Sequence, residues 1–537
     1  MPGAVVMEVV VHSSLHSMLA CGLFAGLALG CGDTSRTAGL GKPRALDAGI
    51  GLVDAGWPQD ASMPADSGQR PDAGQPPVVD AGRADSGVPA DIEALLNEVP
   101  GLRIETQVPL SEGGIFFVLR FEQPEDHQAA DGPRFEQRVL LRHRAQDRPM
   151  VLHTTGYDLF GPPLGWLDRE SEPASLLSAN ELVVEHRFFG ESMTSAPDWS
   201  KLTVAQSAAD THSIYEALAS LYPQPWLGTG VSKGGMTSIF HHHHYPDDFA
   251  MIVPYVAPIS FGLNDPRYLN HLETVGPPDG QCEAGVRALS REIIGRRVQI
   301  AGQLRATDPS LRAFAPEVIE VAVAQSGLTF EWGFWQYWGS PAACASLPSS
   351  DAPTEVIAQF TGVSAEQLTV SNELGLRPYS YQVAAELGGP AYYRADLLEL
   401  VRGIDWSVLP RQPPPPWGAD PRFDPRPMQQ VDAWLRNEAR QVLGVYGAWD
   451  PWTGGMPTVS AANDSVLVIV PEVGHGAQMA MLRAADKRDA YARIEVTMGF
   501  EVLEASGVLQ SPVITRHQRV VQAAQRAARR FGVGYRP

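Results

Sequence analysis

A serine, an aspartate and a histidine each follow a short apolar run in this 537-residue sequence, a pattern suited to nucleophilic acyl transfer. Gly230-Val231-Ser232-Lys233-Gly234 fits G-x-S-x-G between the strand-like PWLGTGV and a stretch with helical spacing. A serine forced into a sharp strand-to-helix turn needs tiny residues two before and two after it, so that the two backbones can pass. Asp450 follows VLGVYG and His475 follows VLVIVPEVG. Parallel strands deliver their ends to one edge of a sheet, and the chain order Ser, Asp, His suits such an edge. Ser232 would attack a carbonyl, His475 would take and return its proton, and Asp450 would orient the imidazole. The plainer alternative makes Asp450 a turn former before Pro451 and His475 a loop residue. Two backbone donors must meet the developing oxyanion. One is the amide of Lys233, and the other is that of Gly156 or Tyr157, just past the run MVLHTT. This chemistry needs neither metal nor cofactor.

The elements that must position these residues show in the apolar pattern. GIFFVLRFEQ and FEQRVLLRHR alternate every second residue, which predicts half-buried antiparallel strands. PMVLHTTG, ELVVEHRF, PWLGTGV and MIVPYVAP are short apolar runs suited to strands covered on both faces. Between them TVAQSAADTHSIYEALASLY reads as a helix, opened by a capping box of Thr203 and Gln206. Strands alternating with helices imply an α/β fold, a mostly parallel sheet with helices on both faces. From Asn264 to Gln429 helical spacing replaces this rhythm, which reads as a cap inserted between two parts of the sheet domain, residues 91–263 and 430–537.

The ends of the chain have a different character. MLACGLFAGLALG is an apolar run too short to span a bilayer, so residues 1–30 read as a signal peptide, although no Lys or Arg precedes it. LALGC makes Cys31 a candidate lipidation site. The stretch 31–90, with DAG recurring at Asp47, Asp54, Asp72 and Asp80, is too poor in apolar residues to fold and reads as a tether. Export and a lipid anchor in the cell envelope follow as expectations, with secretion as the variant lacking the anchor. In an oxidising compartment Cys282 and Cys344 most simply form a disulfide, the alternative being two buried thiols.

A net charge of -20 argues against a nucleic-acid partner. The arginine-bearing stretch from Arg516 to Arg536 reads as an amphipathic helix packed on an acidic body, or else as a binding arm. In the run His241 to His244 only the first and last share a helical face, and no carboxylate or cysteine at ligand spacing completes a site. The run therefore reads as an exposed helix end, with no metal.

Four segments together carry a family resemblance: GVSKGGMTSIFHHHHYPDD, EHRFFGES from Glu185 to Ser192, YGAWDPWTGG and PEVGHGAQM. They resemble the secreted bacterial prolyl and tripeptidyl aminopeptidases, serine peptidases related to the lysosomal prolylcarboxypeptidases. The resemblance runs from about Asp91 to the C-terminus. It implies an α/β-hydrolase core with a helical cap, a disulfide within that cap, and release of short peptides from free N-termini, often beside proline. It carries the nucleophile, acid and histidine roles onto Ser232, Asp450 and His475. On this reading Glu331, Trp332, Trp335 and Trp338 are candidate substrate-binding residues, an acidic group receiving the substrate amine and aromatics accepting proline. Trp332, Phe334, Trp335, Tyr337 and Trp338 read equally well as cap core. A carboxylester hydrolase on the same fold and an inert surface-binding lipoprotein are the rival readings.

Overall fold

The computed structural model describes residues 91–503 apart from 130, 366, 369–375, 411–414 and 420. The leader, Cys31, the tether and the stretch from Arg516 to Arg536 lie outside the described residues. A nine-stranded sheet organises the body, built from β1 (Leu102–Pro109), β2 (Ile115–Pro124), β3 (Arg134–His143), β4 (Met150–Thr154), β5 (Asn180–Val184), β6 (Trp226–Val231), β7 (Met251–Tyr255), β8 (Leu443–Gly447) and β9 (Val466–Val470). Their spatial order is β1-β2-β3-β5-β4-β6-β7-β8-β9. The pairings β1 to β2, β2 to β3 and β3 to β5 are antiparallel. From β5 to β9 every neighbouring pair is parallel. The C-terminal ends of β6, β8 and β9 therefore open on one edge, which is what the candidate residues require.

The two long antiparallel strands depart from the half-buried expectation, since β2 and β3 are covered on both faces. Phe117, Leu119, Val139 and Leu141 join the core that includes Ile214 and Leu218 of the helix Val204–Leu218. Phe116, Val118 and Leu140 instead pack with Leu159, Trp166 and Val183. The polar positions of the alternation are filled by Arg120, Arg138 and Arg142, all buried. Their guanidinium groups are neutralised by Glu105, Glu191 and Glu112, so charge pairing replaces water on that face.

The capping box forms only in half. The Thr203 hydroxyl accepts from the Gln206 N–H at 3.2 Å, but the Gln206 side chain turns to the His127 N–H at 2.9 Å and to Asp126 at 2.7 Å. The histidine run also differs from expectation: His241 and His242 are buried, because the helix Lys233–His244 is a central helix packed on the sheet. His241 bonds Thr211 Oγ1 at 2.6 Å, and Asp248 meets both His241 at 2.8 Å and His212 at 2.7 Å.

Between β7 and β8 the helices Gln281–Gly295, Arg297–Thr307 and Pro316–Gly333 bury a second core that includes Val286, Leu289, Ile293, Ile319 and Val323. The helix Arg426–Asn437, which straddles the expected cap boundary, sends Met428, Val431 and Leu435 into the sheet core. Cys282 and Cys344 are joined by a disulfide with Cα atoms 5.2 Å apart. It ties the start of Gln281–Gly295 to the short helix Pro341–Ala345, just past the aromatic segment.

Replacing both Cys282 and Cys344 by serine should lower stability by about 4 kcal/mol, the chain-entropy value for a loop of this length. The urea midpoint of the double variant measures it, and an unchanged midpoint would show that the cap holds without the cross-link.

Candidate active site

Ser232 directly follows β6 with φ 84° and ψ -116°, a backbone conformation that side chains rarely adopt. Two hydrogen bonds hold it there: its N–H donates to Tyr255 O of β7 at 2.8 Å, and its carbonyl accepts from Met236 N–H at 2.8 Å to open the helix. The flanking glycines allow the close passage. A Cβ on Gly230 would lie 2.4 Å from the Gly234 carbonyl carbon, and one on Gly234 would lie 2.2 Å from Thr154 O.

Asp450 follows β8 and is wholly buried, and His475 follows β9 at 7% exposure. His475 Nδ1 and Asp450 Oδ2 are 2.7 Å apart, which leaves Nε2 as the imidazole nitrogen available for proton transfer. Asp450 is also the turn former of the plainer alternative, since its Oδ1 accepts from Trp452 N–H at 3.1 Å to cap the turn Pro451–Gly455. The histidine loop is anchored at both ends. The His475 N–H donates to Gln336 O at 2.8 Å. Farther along, the buried Glu172 carboxylate accepts from Met479 N–H at 2.9 Å, Ala480 N–H at 2.7 Å and Tyr255 OH at 2.8 Å.

The loop after β4 packs directly on the elbow. Gly156 has φ 74°, and a Cβ there would lie 2.4 Å from Gly234 N. The Tyr157 N–H is engaged by Thr155 Oγ1 at 3.3 Å. Among the described residues the Gly156 and Lys233 N–H groups carry no hydrogen bond, so Gly156 rather than Tyr157 suits the second oxyanion donor. The Tyr157 ring instead flanks the Lys233 side chain, whose Nζ lies 5.3 Å from the ring centre.

EHRFFGES is the scaffold of that loop. Glu185 accepts from Leu159 N–H at 3.2 Å and from Ser192 N–H and OH at 2.9 and 2.7 Å, although burial pushes its carboxyl pKa up. The His186 N–H donates to Tyr157 O at 2.9 Å. Arg187, fully buried, makes two 2.7 Å bonds to Asp210 and donates to Glu125 O and Lys201 O. Sequence reasoning used this segment for its resemblance and missed its role in carrying the loop. No local signal showed it, because the bonds it makes reach far along the chain.

The expected substrate residues separate on inspection. Glu331 faces Arg287 at 3.2 Å and Arg394 at 3.9 Å, and Glu273 bridges the same two arginines at 2.7 and 2.6 Å. Glu283 also pairs with Arg287 and Asp396 with Arg394, so Glu331 sits in a cluster where carboxylates outnumber the two arginines they share. Trp335 is fully buried between Phe334 and Trp449 and belongs to the cap core. Trp338, half-buried, packs on Phe330 and Phe334. Trp332 is buried but adjoins the site: its Nε1 donates to Gln336 Oε1 at 3.1 Å, and its ring lies 5.3 Å from Trp452, which in turn lies 6.4 Å from His475. Trp452 and Tyr392, 4.7 Å from Trp332, are neighbours of the site that sequence reasoning left out. Trp452 could have been found, standing two residues after Asp450 in AWDPW.

The strand order, the elbow after β6 and the Asp450–His475 pair on the same edge define an α/β-hydrolase. Residues 86–529 match the family model described as PS-10 peptidase S37; the chain belongs to this family and is a serine peptidase. It is 32% identical over 437 residues to the prolyl tri/tetrapeptidyl aminopeptidase of Streptomyces mobaraensis, a match covering 79% of this chain and 87% of that protein. It is 23% identical over 467 residues to the lysosomal Pro-X carboxypeptidase of Bos taurus, covering 75% and 91% respectively. Among solved structures, the proline iminopeptidase of Mycobacterium smegmatis is similar at 12% identity and a TM-score of 0.33, covering 76% of this chain and 98% of that one.

Burial holds the Lys233 amine well below the ordinary lysine range. The folded state thus sheds a proton that the unfolded chain keeps up to about pH 10.4, so this residue's contribution to stability grows with pH and is lost as pH falls. Relative to Lys233→Met, the wild-type urea midpoint should climb as pH rises toward about 10.4. Parallel curves for the two proteins would mean that the amine stays charged when buried.

Proposed function

We propose that this peptidase is an exported serine exopeptidase that removes short peptides from free N-termini through an acyl-enzyme. The observation that carries the reading is the 2.7 Å Asp450–His475 contact on the sheet edge that also presents the strained Ser232. Ser232 Oγ attacks the scissile carbonyl carbon and its proton passes to His475 Nε2, while the C=O electron pair moves onto the oxygen between the Gly156 and Lys233 N–H groups. Collapse re-forms the C=O bond and breaks the C–N bond, and His475 returns the proton to the leaving amine. Water then attacks the ester by the same route and frees Ser232. Asp450 stabilises the imidazolium in both halves.

Cleavage near an N-terminus, beside proline, rests on the likeness to the Streptomyces mobaraensis aminopeptidase and on the helical segment whose Gln336 touches the histidine loop. The Cys282–Cys344 disulfide suits an oxidising compartment, in keeping with the leader, lipidation at Cys31 and a membrane-anchored or secreted product.

A panel of chromogenic amides of Pro, Ala-Pro and Ala-Ala-Pro, each free and N-acetylated, tests the proposal with the full chain. One length class should turn over with a free N-terminus, fall sharply on acetylation, and lose at least about 10³-fold in Ser232→Ala. Equal rates on acetylated amides would remove the exopeptidase, and silence on all amides with a short ester still cleaved would make the protein an esterase.

A further inference from the structure

Lys233 follows the nucleophile directly, yet its side chain folds back beneath the turn and is only 2% exposed. Its Nζ donates to the carbonyl oxygen of Gly156 and lies 4.8 Å from the ring centre of Phe189, with Tyr157 as the second wall. No carboxylate pairs with it among the described residues, and desolvation alone sets the direction of its pKa shift. An unpaired buried amine costs stability that a methionine in the same aromatic slot would not. A neutral amine still donates, so the depressed pKa leaves the bond to Gly156 intact.

The bond has a specific geometric result. The two backbone donors come from segments far apart in the chain, the loop after β4 and the elbow after β6. Thr155 and Glu185 fasten that loop to β5 and its extension, through Val184 O and Leu159 N. The Lys233 side chain ties it to the elbow itself, and the same residue supplies the other donor from its backbone.

We propose that the Lys233 side chain is a positioning residue for the oxyanion site: by holding Gly156 O against the elbow it fixes the separation of the Gly156 and Lys233 N–H groups. This rests on the acyl-enzyme reading above. The effect belongs to the tetrahedral state, in which charge sits between the two donors, and not to ground-state binding of the peptide.

Lys233→Met in the full chain tests it, on the best amide of the panel, with a peptide boronate as tetrahedral mimic and the released peptide as product. The variant should lose about 10- to 100-fold in kcat with KM within about threefold. Boronate affinity should fall by a similar factor, product inhibition should hold, and the urea midpoint at pH 7 should not drop. Lys233→Gln, a shorter donor, should fall between Met and wild type; if the Met variant does not fold, Gln is read against wild type by the same criteria. Unchanged kcat and boronate affinity would overturn the proposal. So would a loss of kcat shared by KM and product binding, which would mark a packing role only. Ser232→Ala separates the two readings: if it keeps amidase activity, the acyl-enzyme itself is wrong, whereas an inactive Ser232→Ala beside a fully active Lys233→Met removes the positioning role alone.

Discussion

A serine at φ 84° is a strained object, and such strain, of the order of 1–3 kcal/mol, persists only where the surroundings over-determine the backbone. Here the constraint is the close crossing of two glycine backbones. The parallel register that sets Thr154 opposite Gly230 brings Thr154 O against Gly234, and Thr154 Oγ1 then donates to Gly234 O at 2.6 Å. Every other part of the site is positioned relative to that crossing. β7 supplies the acceptor for Ser232 N–H, the loop after β4 lies on the Lys233–Gly234 peptide, and β8 and β9 bring the aspartate and histidine to the same edge.

Around this crossing several buried charged groups are held by partners, Lys233 standing apart. Arg187 and Asp210 neutralise each other at the heart of the core, and His127 adds a 2.8 Å contact to the same carboxylate. Glu185 and Glu172 accept from backbone N–H groups and hydroxyls, Glu185 joining the loop after β4 to Ser192 and Glu172 joining the histidine loop to β7. Removing one member of a buried pair typically costs about 3–5 kcal/mol, because the survivor is left uncompensated. That asymmetry makes Arg187 and Asp210 an all-or-none tie between the segment after β5 and the helix Val204–Leu218.

The elbow and the Asp and His that follow strands were legible because each depends on a local feature: a short apolar run, a chain order, and glycines two residues either side of a serine. What sequence hid was contact at a distance. The alternation in β2 and β3 is genuine, but nothing in it showed that Glu105, Glu112 and Glu191 would cover the arginine face. His241 and His242 sit where a helix end was expected to be exposed, and only the packing of that helix on the sheet buries them. The contact of Glu331 with Arg287, 44 residues earlier, was equally invisible in the sequence. The Tyr157 N–H meets a hydroxyl two residues away, a contact that spacing alone does not reveal.

The bond from His475 N–H to Gln336 O joins the histidine loop to a π-helical turn, Phe334–Trp338, of the helical segment between β7 and β8. On the proposed reading, the imidazole that moves the proton is thus held in part by a segment outside the sheet. A movement of that segment large enough to part the two groups would also release the histidine backbone, so the place of the imidazole and that of the helical segment are linked through one bond.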